Sequence, residues 1–214
     1  MPYLIQRALG LVLLLLLGPL ILALAAAVRL TSRGPAFHRA TRVRPGGTFT
    51  LYKLRSMRAG ADAAGPGITS RGDARVTRLG RVLRRTKLDE LPQLWNVVRG
   101  DMALVGPRPE DPRYVDLADP LHALVFGALP GITSSTALAY RDEEAVVAET
   151  SRELARADGR GEATPEDVDR GYREVVQPAK LAMDADYLST RSTRTDLAVM
   201  GMTIGQVLRR TDRP

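Results

Sequence analysis

The stretch ALGLVLLLLLGPLILALAAAV, Ala8 to Val28, runs for 21 residues without a charge. At about 1.5 Å of rise per helical residue it is long enough to cross the ~30 Å hydrocarbon layer, so this chain meets a membrane. Three arrangements suit such a run: a cleaved leader, a full span, and a hairpin that enters and returns on the same side. Ala25, Ala26 and Ala27 imitate a cleavage site, but the run is longer than the roughly 7 to 15 apolar residues of a leader core. Gly18 and Pro19 stand in its middle, where a proline lacks the backbone donor and crowds the carbonyl four residues back, so a kink is expected there. Arg7 precedes the run, and Arg29, Arg33, Arg39, Arg42 and Arg44 follow it. Cations at both flanks suit two cytosolic ends, and a kinked single span satisfies the same pattern.

The 214 residues allow one compact unit with an appendage. With no cysteine, disulfides and thiolate metal sites are excluded. His38 and His122 have no partners at zinc-ligand spacing. The formal charge of +7 is unevenly spread: Arg29 to Arg113 holds 18 Arg and Lys against 7 Asp and Glu, and Tyr114 to Pro214 holds 12 against 17. The basic half expects a polyanion.

Beyond the apolar run, Gly34-Pro35 and Pro45-Gly46-Gly47 punctuate two short alternating segments, of which TFTLYKL (Thr48 to Leu54) is the better strand, and a small β-hairpin is expected. Residues 58–73 are rich in Gly, Ala and Asp and read as a mobile loop. In ARVTRLGRVLRRTKL (Ala74 to Leu88), Val76, Leu79, Val82 and Leu83 recur near helical spacing with arginines between them, a basic amphipathic helix. Such a helix binds nucleic acid, lies on an anionic membrane, or has a solvated face.

Pro92 disfavours helix at Leu91 and suits the start of a new helix, PQLWNVVRG, ended by Gly100. Asp89 and Glu90 therefore fall at a helix break, beside free amides and behind a crowd of cations, where both should ionise readily. An ionised pair among cations suits a divalent metal, a phosphate substrate and nucleophilic attack by one carboxylate, against the bland alternative of a solvated pair. On the new helix Leu94, Trp95 and Val98 share a face and are expected in core or membrane-proximal packing rather than in stacking on a substrate. Thr164-Pro165-Glu166-Asp167 reads as a helix start, within a charged, helical stretch from 145 to 177. The apolar stretch Asp196 to Arg210 is too short to span and suits either an interfacial helix or a packed one.

The segments SRGPAFHRATRVRPGGTFTLYKLRSM, RVTRLGRVLRRTKLDELPQLWNVVRGDMALVGPRPE and LPGIT, in this order, resemble the bacterial sugar transferase family, the monotopic phosphoglycosyl transferases. The resemblance runs from the apolar segment to YLSTRSTRTDL, and with no room for a multi-span N-terminal region the small catalytic form is expected. It implies a mostly α fold with a small β-hairpin: a re-entrant membrane helix-break-helix over residues 1–30 and a cytosolic, membrane-associated catalytic domain over 31–214. It also implies transfer of a sugar phosphate from a UDP-sugar to undecaprenyl or another polyprenyl phosphate, releasing UMP, through a covalent intermediate on Asp89 with Glu90 as its partner. Mg²⁺ is the implied cofactor, held by Asp89 and Glu90. The implied setting is the cytosolic face of the bacterial inner membrane, at the start of exopolysaccharide, O-antigen or glycoconjugate synthesis.

The partners that follow are the UDP-sugar donor, the polyprenyl phosphate acceptor, the lipid bilayer and downstream glycosyltransferases, with no nucleic acid; a homodimer is compatible with the sequence, which does not set the oligomeric state. Phosphoryl transfer needs charge neutralisation and positioning, for which Arg84, Arg85, Arg108 and Arg141 are the candidates. Pro107 and Pro109 stiffen the loop that carries Arg108, and the resemblance puts that loop near the nucleotide. Lys53 and Arg55 match the family's pattern in position, with folding or membrane docking as their alternative. The chain departs from the family at Ala40 to Arg44 and over Ser134 to Glu144, so the sugar is not transferable by resemblance; the acidic cluster Asp142, Glu143 and Glu144 either contacts sugar hydroxyls or pairs with the basic helix, and pairing or solvation is the expectation. The competing function is a non-catalytic anchored module whose basic half holds anionic lipid or other polyanions.

Overall fold

A computed structural model describes residues 1–61 and 67–210, with backbone alone over 207–210. The centre of the loop read as mobile, 62–66, and the tail 211–214 lie outside the described residues. The described chain is mostly helical, as expected. Its first element is one helix, α1, Tyr3–Thr31. The helix continues through Gly18 and Pro19, so no non-helical residue separates two halves where the resemblance implies a break. Gln6, Gly10, Ile21, Ala25 and Val28 are buried and Leu13, Leu14 and Leu17 half-buried, a stripe at spacings of three and four that seats the helix on the body along its length. Leu4, Leu11, Val12, Leu15, Leu16, Leu20 and Leu22 on the other side are exposed.

Both ends of α1 are fastened to the same body. Near the start, Gln6 is fully buried and its Oε1 accepts from the Leu104 and Val105 amides at 2.9 and 3.2 Å, while Arg7 Nε donates to the Val98 carbonyl at 3.0 Å. At the far end, Arg55 donates from Nη1 to the Arg33 carbonyl at 2.7 Å and from Nη2 to the Ser32 carbonyl at 2.9 Å. Arg55 therefore clasps the end of the apolar helix.

The expected hairpin is present: β1 (Phe37–Arg44) pairs antiparallel with β2 (Gly47–Leu54) around a Pro45-Gly46 turn. The amphipathic helix α2 is shorter than its sequence pattern, Arg78–Thr86, because Thr77 caps it by accepting from the Gly80 amide at 2.9 Å. Leu83 is buried and Val82 exposed, so the apolar stripe is narrower than expected. Gly80 is required by close approach: a Cβ there would lie 1.8 Å from the Ser56 carbonyl oxygen, and this contact lays α2 flush against the end of β2.

Helix α3, Gln93–Arg99, begins after Pro92 and ends at Gly100 in the left-handed region, as the punctuation predicts. On it Leu94 and Val97 are core, Trp95 is 47% exposed, and fully buried Asn96 links the helix to β2 through the Tyr52 amide (3.1 Å) and the Thr50 carbonyl (2.7 Å). Of the three residues expected in core or membrane-proximal packing, Leu94 is core, Val98 half-buried and Trp95 outside the core. A second sheet escaped the sequence reading: β3 (Ala103–Val105) pairs parallel with β4 (Gly131–Thr133), with α4 (Pro120–Phe126) in the crossover. The rest is helical: α5 (Ser135–Ala139), α6 (Glu143–Ala157), α7 (Pro165–Gly171), α8 (Gln177–Ser189) and α9 (Thr193–Arg210). Thr164 and Asp167 exchange hydrogen bonds in a capping box at the predicted start of α7. On α9, Val199 and Met200 pack in the core while Leu197, Met202 and Ile204 are exposed, so that helix has both a packed and an open face.

Candidate active site

The pair Asp89-Glu90 lies on a single 3₁₀ turn, Leu88–Glu90, between α2 and α3. Lys87, at φ 60° in the left-handed region, turns the chain out of α2, and Pro92 starts α3. Leu83 and Leu88 pack with Ala25, Val28 and Leu54, which ties the turn to both β2 and the apolar helix. The pair is not a solvated one: Asp89 is 5% and Glu90 8% exposed.

Two cations from distant segments meet Glu90. Arg108 Nη2 donates to Glu90 Oε1 at 2.7 Å, and Lys53 Nζ, on β2, reaches the same oxygen at 3.4 Å. Arg108 is held in place by its neighbours: the Gly106 amide donates to the Thr133 carbonyl at 3.0 Å and the Gly131 amide to the Pro107 carbonyl at 2.8 Å, so the PRP loop, Pro107 to Pro109, is pinned to the LPGIT segment. Lys53, Glu90 and Arg108 are thus brought together from three elements.

The two carboxyls are shifted in opposite directions. Burial pushes Glu90 up, but Arg108, Lys53 and Lys87 outweigh it and hold the carboxyl well below its usual range. For Asp89 burial prevails, reinforced by the charge of Glu90, and its carboxyl is raised despite Lys53, Arg84 and Lys87. The expectation that both ionise readily is therefore met by Glu90 alone, because desolvation outweighs the surrounding cations at Asp89. Asp89 Oδ1 is buried and accepts no hydrogen bond, an acceptor left open beside a fixed anion. Burial likewise lowers Lys53, with Glu90 opposing.

The remaining candidates divide. Arg84, in the last turn of α2, donates from Nε to Glu144 Oε1 at 2.6 Å, and its charge is among the strongest acting on Asp89. Arg85 is exposed; Arg141 donates from Nη1 to Gln206 of α9 at 3.1 Å. Neither is among the charges acting most strongly on the carboxylates.

Sequence reasoning missed Lys87, Glu110, Tyr172 and Lys180. Lys180 on α8 is 7% exposed in its side chain, donates to Glu143 Oε1 at 2.7 Å and to the Tyr172 hydroxyl at 3.2 Å, and Tyr172 donates in turn to Glu110. Glu143 also acts on Arg108, so alternating charges extend from Glu90 through Arg108 and Glu143 to Lys180. The acidic cluster pairs with cations, Glu144 with Arg84 of the basic helix as expected, Asp142 with Arg71 and Glu143 with Lys180 outside it. No signal short of the fold joins positions so far apart in the chain.

Among the described residues no group of three or more His, Cys, Asp or Glu is placed to cage a metal. Two adjacent carboxylates, one with an open buried oxygen, fit a hard cation that takes its other ligands from a phosphate substrate.

The sequence profile of the bacterial sugar transferases matches residues 2–210. A UDP-glucose:undecaprenyl-phosphate glucose-1-phosphate transferase of Caulobacter vibrioides is 38% identical over 199 residues, 90% of this chain and 64% of that protein. A UDP-N-acetylgalactosamine-undecaprenyl-phosphate N-acetylgalactosaminephosphotransferase of Aeromonas hydrophila is 43% identical over 122 residues, 55% of this chain and 29% of that one. A putative undecaprenyl-phosphate N-acetylgalactosaminyl 1-phosphate transferase of Bacillus subtilis is 46% identical over 99 residues, 46% and 55% of the two chains. The chain thus spans less than two thirds of the length of these relatives. With the profile matched almost from end to end and the Asp89-Glu90 turn, PRP loop and LPGIT segment meeting in one place, the chain belongs to the bacterial sugar transferase family.

Proposed function

We propose that this protein transfers a sugar 1-phosphate from a UDP-sugar to a polyprenyl phosphate through a covalent intermediate on Asp89. The observation that carries the reading is the buried, unbonded Oδ1 of Asp89 next to a Glu90 anion held by Arg108 and Lys53. The Asp89 carboxylate attacks the β-phosphorus of the donor, and the bond from that phosphorus to the bridging oxygen breaks, releasing UMP. An oxygen of the polyprenyl phosphate then attacks the same phosphorus, freeing the carboxylate and giving polyprenyl diphosphate sugar.

Glu90, kept ionised, anchors Lys53 and Arg108, whose positive charges face the phosphates that Asp89 approaches. Asp89 and Glu90 would hold Mg²⁺, which when bound neutralises charge on the donor diphosphate. Burial of the pair keeps water from the acyl phosphate. The apolar face of α1 is read as the bilayer contact, with both helix ends on the side of the body that holds them and, from the arginines at both flanks, with that side cytosolic.

The test is UMP release by detergent-purified protein with Mg²⁺ and undecaprenyl phosphate, from UDP-glucose, UDP-N-acetylgalactosamine and other UDP-sugars. Release by wild type that is lost in Asp89→Asn supports the reading; equal release by both sinks Asp89 as the nucleophile.

A further inference from the structure

We infer that Glu144 is a positioning residue for Arg84: it fixes the guanidinium so that its positive charge falls on Asp89 and the donor's phosphates. The inference rests on the phosphate-transfer reading above. Glu144 Oε1 lies 2.6 Å from both Nε and Nη2 of Arg84, a grip on the side edge of the guanidinium, and Nη1 is 3.3 Å from the Ser56 hydroxyl. Held by that side edge, a planar guanidinium has its direction set while other N–H groups are left to donate.

The support under Glu144 is itself braced. It lies in the first turn of α6, where Glu143 and Glu144, with Asp142 just before the helix, each hold a cation from a different segment: Asp142 holds Arg71, Glu143 holds Lys180, Glu144 holds Arg84. The Arg71 amide also donates to the Glu144 carbonyl at 2.9 Å. Glu144 is thereby fixed in its main chain, while its side chain, 36% exposed, and that of Arg84, 24% exposed, are open enough for an incoming anion to reach the pair. A pair of this exposure adds little to folding stability, so orientation is the property its removal changes most.

The experiment is a double-mutant cycle on donor kinetics, using the UDP-sugar that supports turnover, with wild type, Glu144→Ala, Arg84→Ala and the double variant, each checked by thermal unfolding. Glu144→Ala is expected to raise the donor KM about tenfold, with kcat changed by less than about twofold and an unchanged unfolding midpoint. Glu144→Gln, which keeps an acceptor oxygen in the same place, is expected to recover part of the loss. In the Arg84→Ala background, Glu144→Ala should add nothing. An unchanged donor KM in Glu144→Ala, or effects of the two substitutions that simply add, would overturn the inference while leaving the transferase reading intact. A wild type that releases no UMP from any donor overturns that reading, and this inference with it.

Discussion

Glu90 Oε1 takes a hydrogen bond from Arg108 Nη2 at 2.7 Å across a sequence separation of 18 residues, inside a site where Glu90 is only 8% exposed. Replacing Arg108 by Met leaves a buried carboxylate whose one remaining contacting cation is Lys53, with Lys87 acting from further away. The expected cost is about 3 kcal/mol of stability at neutral pH and a fall of at least about a hundredfold in kcat/KM for the donor. Because the folded-state pKa of Glu90 lies below its unfolded value, the pair stabilises the protein above that unfolded value, near pH 4.5, and loses its effect as pH falls further. The difference between wild type and Arg108→Met should therefore shrink on acidification; denaturant unfolding at several pH values checks this, and a gap independent of pH would refute it.

Asp184 on α8 shows the opposite sign. Burial pushes its carboxyl up to about 6, with Thr136, Lys180 and Arg108 offsetting only part of the shift. A carboxyl whose folded pKa is raised holds its proton longer in the folded state, so it costs stability as pH rises from about 4 to about 6, and that cost persists above. Asp184→Asn is expected to stabilise the protein by about 2 kcal/mol at pH 7.5, with the gain vanishing near pH 4. Equal unfolding midpoints of the two proteins at pH 7.5 would contradict this.

What the sequence discloses here is local, and what it hides is long-range. Pro45-Gly46-Gly47 announces the hairpin, Thr164-Pro165-Glu166-Asp167 the start of α7, and Pro92 the break that carries the carboxylate pair, because each signal acts within a few residues. The parallel pair β3–β4 is hidden because strands of three residues are too short to show a period. Arg55, expected as a phosphate ligand or else in folding or membrane docking, turns to the end of α1, since a buried guanidinium goes to the nearest carbonyls it can satisfy. Glu143 and Lys180 lie 37 positions apart and Arg84 and Glu144 60, distances over which spacing carries no information. Residue types at the site were legible from the family resemblance; who pairs with whom was not.

Gly80 gives a test of how the fold positions that site. With no room between α2 and the Ser56 carbonyl, Gly80→Ala must push α2 away from β2, and the Asp89-Glu90 turn follows α2 directly. A loss of about 3 kcal/mol is expected, near the upper end for overpacking because the obstacle is backbone. Gly18→Ala, where an added Cβ meets nothing within 4 Å, is the matched control and should leave the unfolding midpoint unchanged. Equal effects of the two substitutions would show that the close approach at Gly80 is not rigid.

The attachment of α1 at both ends makes a prediction about topology. A helix of 29 residues is about 43 Å long, more than the hydrocarbon layer requires, so length alone permits a full crossing. Crossing with the body on one side would tear away either the Gln6 bonds to Leu104 and Val105 or the Arg55 bonds to Ser32 and Arg33, and would leave Gln6 in lipid without partners. Both ends should therefore face the same compartment. The chain has no cysteine, so Pro2→Cys and Arg33→Cys each provide a single thiol flanking the helix. In inverted inner-membrane vesicles a membrane-impermeant maleimide is expected to label both, and in right-side-out spheroplasts neither. Labelling of one position in each preparation would mean that the helix spans the bilayer and that its packing against the body is lost in the membrane.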